Sequence, residues 1–226
     1  MKLSKDTIAK LKNFANINPN VVYDGNGKLK TISEAKNILA ETNIESKSDG
    51  LNGFSIYDLN EFLSVVSLID DGDITFNDNE CIIKNGSQKV RYVFADVNIL
   101  TTPQKDITMP PSDYTFNLSQ EDIDTIRKAA STLGHNTLRV KLANQSGDIT
   151  VVDSTGASKN DFTLQEITSP TTKESVSFSF DILINNLKLM NGNYTVHLSE
   201  KLISKWEGTN ANYYIALESS SNFTNT

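Results

Sequence analysis

An internal repeat limits the fold more than any other feature of this sequence. Laying SKDTIAKLKNFA (residues 4–15) over SQEDIDTIRKAA (119–130), an offset of 115, places Ile8 on Ile123, Leu11 on Ile126, Lys12 on Arg127 and Ala15 on Ala130. DGDITF (71–76) then falls on NGNYTV (191–196) at an offset of 120, and YVFAD (92–96) on YIALE (214–218) at 122. The matches keep their order while the offset drifts, as loop insertions make it do. A duplicated domain of helix, strands, helix, strands is therefore expected. A chain of 226 residues has room for two such units, each large enough to bury a core.

The boundaries follow from composition. Residues 1–96 form the first unit, and 97–112 (VNILTTPQKDITMPPS), with three of the five prolines and no period, read as an extended connector. Residues 113–218 form the second unit, and 219–226 (SSSNFTNT) a polar, frayed tail. Within the first unit Ser4 is the expected N-cap of a helix over 4–15 whose face holds Ile8, Leu11 and Ala15, with Phe14 at its edge. NVVYDGNGKLKTIS predicts two strands around a turn at Asp24–Gly27, and a second helix is expected at about Ile56–Ile69. Short strands follow around Asp73–Phe76, Glu80–Lys84 and Lys89–Ala95; DYTFNL predicts the first strand of the second unit.

Charge separates the two sides of the repeated helix. The chain is acidic, with net charge −7, and neither part is basic: 12 basic and 15 acidic side chains lie up to Pro111, 9 and 13 beyond it. Yet Lys2, Lys5, Lys10 and Lys12 face only Asp6. At 100° per residue Lys5 and Lys12 lie on one flank of the apolar stripe, while Lys2 and Asn13 point away from it. In the second copy Gln120, Arg127 and Lys128 stand where Lys5, Lys12 and Asn13 stand in the first. A globally basic nucleic-acid binder is excluded, but a local cationic surface recurs in both halves.

Most candidate chemistry fails on spacing. Placing Gly72 of IDDGDITFNDNE at the glycine of a calcium loop makes Ser67 and Ile69 ligands, so no calcium site is expected. His135 and His197, the only histidines, have no cysteine partner nearby and do not make a zinc site. No nucleophile elbow and no phosphate-cradling glycine loop occur. Cys81, the single cysteine, sits in a strand pattern and reads as packing; with no second cysteine, no internal disulfide forms. The most apolar stretch, FLSVVSLI at 62–69, is far short of a membrane span, and the charged start is not a signal peptide. The expectation is a non-enzymatic cytosolic protein with no metal and no cofactor.

MKLSKDT running into LKNFANIN, IYDLNEFLSVVSLIDD, and NGNY followed by ANYYIALE resemble the DNA polymerase sliding clamps of T-even-type bacteriophages. The resemblance covers the whole chain, with residues 32–50, 97–112 and 145–175 divergent. It implies an α+β fold of two DNA-clamp domains, helices lining a ring and antiparallel sheets outside it, assembled as a homotrimeric pseudo-sixfold torus. It implies no catalysis, encirclement of duplex DNA without sequence specificity, and tethering of the phage replicative polymerase. A separate ATP-dependent clamp loader places the ring, and the setting is the cytoplasm of the infected bacterial host, away from membranes. Late-transcription factors are partners in some members only. On this resemblance Lys2, Lys5, Lys12, Arg127, Lys128 and Lys188 face DNA. By analogy with the wider clamp family, partner peptides dock between the domains, at Ile99, Leu100, Pro110, Pro111, Tyr213, Tyr214, Ala216 and Leu217. The rival at this stage is a β-rich phage structural or adaptor protein with no DNA-encircling role, which leaves the paired cationic faces without explanation.

Overall fold

A computed structural model describes residues 1–46, 50–103, 105–143, 145–168 and 176–225. It divides into two compact units: Met1–Asp106 with Lys188–Met190 and Asn210–Tyr213, and Ile107–Leu187 with Asn191–Thr209 and Tyr214–Thr226. The division falls inside the expected connector, of which Gln104 lies outside the described residues. Two short later segments join the first unit rather than the second.

In the first unit, α1 (Lys5–Ala15) is followed by β1 (Val21–Tyr23), β2 (Lys28–Ile32), β3 (Ile38–Asn43) and β4 (Phe54–Ile56), then α2 (Leu59–Leu68), β5 (Asp73–Phe76), β6 (Glu80–Asn85) and β7 (Gln88–Val93). In the second, β8 (Tyr114–Leu118) precedes α3 (Gln120–Leu133), then β9 (Thr137–Ala143), β10 (Ser146–Val152), β11 (Phe162–Thr168) and β12 (Val176–Leu183). A 3-10 turn (Ile184–Asn186), β13 (Tyr194–Ser199), β14 (Ile203–Gly208), β15 (Asn212–Ala216) and β16 (Asn222–Asn225) complete it, the first two residues of β15 belonging to the first unit. The strands run β4-β1-β2-β3 in one unit and β12-β9-β10-β11 in the other; β5-β6-β7 is matched by β13-β14-β15. All three sequence correspondences therefore fall on equivalent elements, and the duplication is a property of topology as well as of pattern.

The repeat is imperfect: β8 and β16 have no counterpart among the described strands of the first unit, and one helix is lost. Where the first unit has the ten residues of α2, the second has only the turn Ile184–Asn186, so the expected second helix is absent there. The reason is local. The side chain of Asp58 accepts from the amides of Asn60 and Glu61 and caps α2, whereas Leu183 offers no acceptor and Asn185–Asn186 disfavour helix. Asp58 also corrects the start of α2: being extended, it holds Ile56 in β4 instead of the helix.

Capping explains the other helices. Ser4 caps α1 through the Thr7 amide (3.0 Å), and Ser119 and Asp122 form a capping box on α3. Gly134 ends α3 at φ 70°, a left-handed position that glycine adopts without cost. Thr7, Leu11, Phe14 and Ala15 are the buried face of α1, so the stripe is turned away from Ile8, which is half-buried. Thr7 fits there because its hydroxyl accepts from Ser4 (2.9 Å), leaving the methyl group to pack.

The first core gathers Tyr23, Phe54, Phe62 and Phe76, with Phe54 5.2 Å from Tyr23 and 5.8 Å from Phe76 between centroids. The second is aliphatic along β9 and β10 and aromatic at Phe178 and Phe180, whose rings stack at 4.9 Å. Trp206 is fully buried, and its indole donates to Ser204, which donates to the Ile215 carbonyl.

The tail corrects another expectation. Residues 222–225 are not frayed but form β16, antiparallel to β12, with Phe223 stacked 6.4 Å from Phe180; Thr226 lies outside the described residues. The serines before it are polar for a reason. Ser220 donates to the buried Asp181 carboxylate, which also takes a bidentate pair from Arg139 at 2.7 and 2.8 Å, and Ser221 accepts from the Asp181 amide. A buried carboxylate is tolerated only when satisfied in this way.

Candidate nucleic-acid interface

Each repeated helix packs its apolar face inward and leaves a charged face outward, lysine-bearing in α1 and mixed in α3, where exposed Glu121 and Asp124 share the face of Lys128. In α1, Leu11 and Phe14 are buried while Lys5 and Lys12 are exposed; in α3, Ile123 and Ile126 are buried while Lys128 is exposed. Among the described residues these three lysines carry no ion pair. Their charge is available to an approaching anion.

The other three candidates are engaged. Lys2 pairs with Asp71. Arg127 donates to the Leu187 carbonyl at 2.9 Å, with Asp124 at 3.8 Å, so part of its guanidinium serves the fold. Lys188 donates to the Asn16 carbonyl at 2.6 Å, and its own carbonyl accepts from Asn13. Asn13 therefore does not point free of its surroundings as helical projection implies: it is half-buried and also accepts from the Tyr213 hydroxyl at 2.8 Å. Nothing in the helix pattern could reveal a partner that comes from a segment so distant in sequence.

The expected peptide-docking residues divide by burial. Ile99 is 63 % exposed and Pro110, Pro111 and Ala216 are at least partly open. Leu100, Tyr213, Tyr214 and Leu217 are buried, so their side chains belong to the core and not to a surface that a peptide touches directly. The Tyr213 hydroxyl is used twice, accepting from the Met190 amide and donating to Asn13. Successive residues Tyr213, Tyr214 and Ile215 are all buried, so β15 is covered on both faces.

The family model for the gp45 sliding clamp, C terminal, matches residues 115–219. The sliding clamp of Escherichia phage RB69 is 32 % identical, covering 98 % of this chain and 98 % of its own. That of Vibrio phage KVP40 is 30 % identical over 96 % of this chain and 99 % of its own. This chain belongs to the sliding clamps of T-even-type phages, the family of DNA polymerase processivity clamps. Solved structures show the same fold at far lower identity. Proliferating cellular nuclear antigen from Entamoeba histolytica superposes with a TM-score of 0.63 at 13 % identity, over 93 % of this chain and 94 % of that one. The Helicobacter pylori beta clamp gives 0.66 at 13 %, over 96 % of this chain and 65 % of that one. The rival adaptor reading is set aside by full-length identity to clamps.

Proposed function

We propose that three copies of this clamp close head to tail into a ring that encircles duplex DNA and tethers the phage replicative polymerase in the infected cell. The observation that carries the reading is that both repeated helices turn lysines without an ion pair among the described residues outward, Lys5 and Lys12 on α1 and Lys128 on α3, in a chain of net charge −7. Such a face holds the phosphate backbone without reading bases. The acidic remainder repels DNA from other surfaces. Retention then comes from topology, as a sliding ring requires: each phosphate firmly neutralised adds about −0.9 to the slope of log affinity on log salt and opposes movement. The clamp carries out no catalysis of its own, and a separate ATPase loads it.

Two strand edges support ring closure. β7 ends the order β5-β6-β7 in the first unit, and β11 ends β11-β10-β9-β12 in the second. Unpaired edges invite a strand from another chain. On β7 Val93 is 60 % exposed, and at the end of α2 Leu68 is 70 % exposed, apolar side chains suited to burial. Pairing β7 of one copy with β11 of the next is a heterologous contact that a threefold axis closes. Of the docking set, Ile99, Pro110, Pro111 and Ala216 are the positions open to a polymerase tail, with Leu100, Tyr213, Tyr214 and Leu217 as supporting core.

The test is charge reversal at Lys5 and Lys12 together. Polymerase processivity on primed circular DNA should fall at least about tenfold, while light scattering still gives the mass of three chains. Undiminished processivity removes the DNA-lining assignment.

A further inference from the structure

Between α1 and α2 runs an open groove of about 740 Å³. Lys2 and Lys12 line it from α1 and the residues before it, Asn60, Ser64 and Ser67 from α2, and Asp70 and Asp71 from the turn after α2. The two lysines differ in availability. Lys12 has no ion-pair partner among the described residues, whereas Lys2 donates to Asp71.

We propose that Asp71 is a charge brake, a carboxylate that competes with DNA phosphate for Lys2 and keeps this groove from gripping the duplex. The inference rests on the reading that these helices face DNA, and it makes Asp71 a positioning residue that acts through Lys2.

Three observations carry it. Both side chains are open to solvent, 51 % for Lys2 and 75 % for Asp71. An exposed pair of this kind adds little to stability, so the fold does not require it. Asp71 stands at φ 55°, a left-handed position in which asparagine is accommodated as well as aspartate. The backbone therefore asks for a small polar residue there and leaves its charge free to serve another purpose. The repeat supplies the comparison: at the offset of 120 Asn191 stands where Asp71 does, and at 115 Asn117 stands where Lys2 does. Cation and carboxylate are present together in the first unit, and amides replace both in the second.

The opposite wall has the same character. The Ser64 hydroxyl donates to the Asn60 carbonyl and the Ser67 hydroxyl to the Ser64 carbonyl, each at 2.8 Å. Those protons are spent within α2 and do not reach for phosphate. Donating to Asp71, with the charges of Asp73 and Asp70 adding to it, also holds the Lys2 ammonium above its ordinary pKa, and of these carboxylates Asp71 is the one paired with it directly.

The variant Asp71→Asn tests this directly. Labelled protein is threaded at high concentration over a free end of stretched duplex, the end is blocked, and one-dimensional diffusion is followed at several salt concentrations. The variant should diffuse at least about twofold more slowly at low salt, with the difference closing as salt rises. Adding Lys2→Ala should restore wild-type diffusion, an outcome no purely structural role for Asp71 produces. Equal diffusion of Asp71→Asn and wild type overturns the proposal, as does slowing that persists in the double variant. Wild-type protein that leaves end-blocked duplex as fast as free-ended duplex overturns the ring reading itself, and the brake with it.

Discussion

Cys81 illustrates how burial alone decides a residue's chemistry. It is fully buried in β6, and burial, with the Glu80 charge adding to it, pushes the thiol up to about 11. At pH 8 about one thiol in a thousand is ionised, and the thiolate is the reactive form. The native clamp should resist a maleimide or disulfide reagent at pH 8 and react within minutes once unfolded in urea; rapid labelling of the folded protein would contradict this burial. The same scale holds the least legible part of the candidate site. That Lys5, Lys12 and Lys128 are exposed, with no ion pair among the described residues, could be read from helical projection, because it depends on neighbours within one turn. That Lys2 meets Asp71, Arg127 the Leu187 carbonyl and Lys188 the Asn16 carbonyl could not, since each partner comes from a different element.

Elements were legible where their determinants are local. α1 and α3 carry their caps in sequence, Ser4 and the Ser119–Asp122 box, and the β1–β2 hairpin announces itself by its glycines. α2 depends on a single capping residue, and its loss is measurable. Asp58→Ala removes the acceptor for two amides and should lower unfolding free energy by about 1 kcal/mol in urea titration. An unchanged midpoint would mean that packing of Leu59 and Phe62, not the cap, sets the helix start. The counterpart of α2 was misread because a repeat matched at three points does not guarantee the segment between them: apolar residues persist through 182–189, but the cap does not. β16 escaped notice for the opposite reason. Its four residues have no pattern of their own and become a strand only because β12 offers an edge and Asp181 fixes the serines before them.

For the whole molecule, the proposed assembly makes the exposed apolar residues of the first unit decisive. Leu68→Asp places a charge where burial against another copy is expected, on a side chain that is 70 % exposed in the single chain. Light scattering should shift from the mass of three chains toward one. The urea stability of the chain itself should change by less than about 0.5 kcal/mol, as for other surface substitutions. A Leu68→Asp protein that remains trimeric would place the contact elsewhere. The two units share one pattern yet differ most in one element: a ten-residue helix with an exposed apolar flank stands in the first, and a three-residue turn in the second. A chain with one plug and one socket can be threaded in a single direction only. In the proposed ring each protomer would present one kind of end to the next, so the assembly would have two unlike faces, and a partner that binds one of them would read which way along the duplex the clamp is facing.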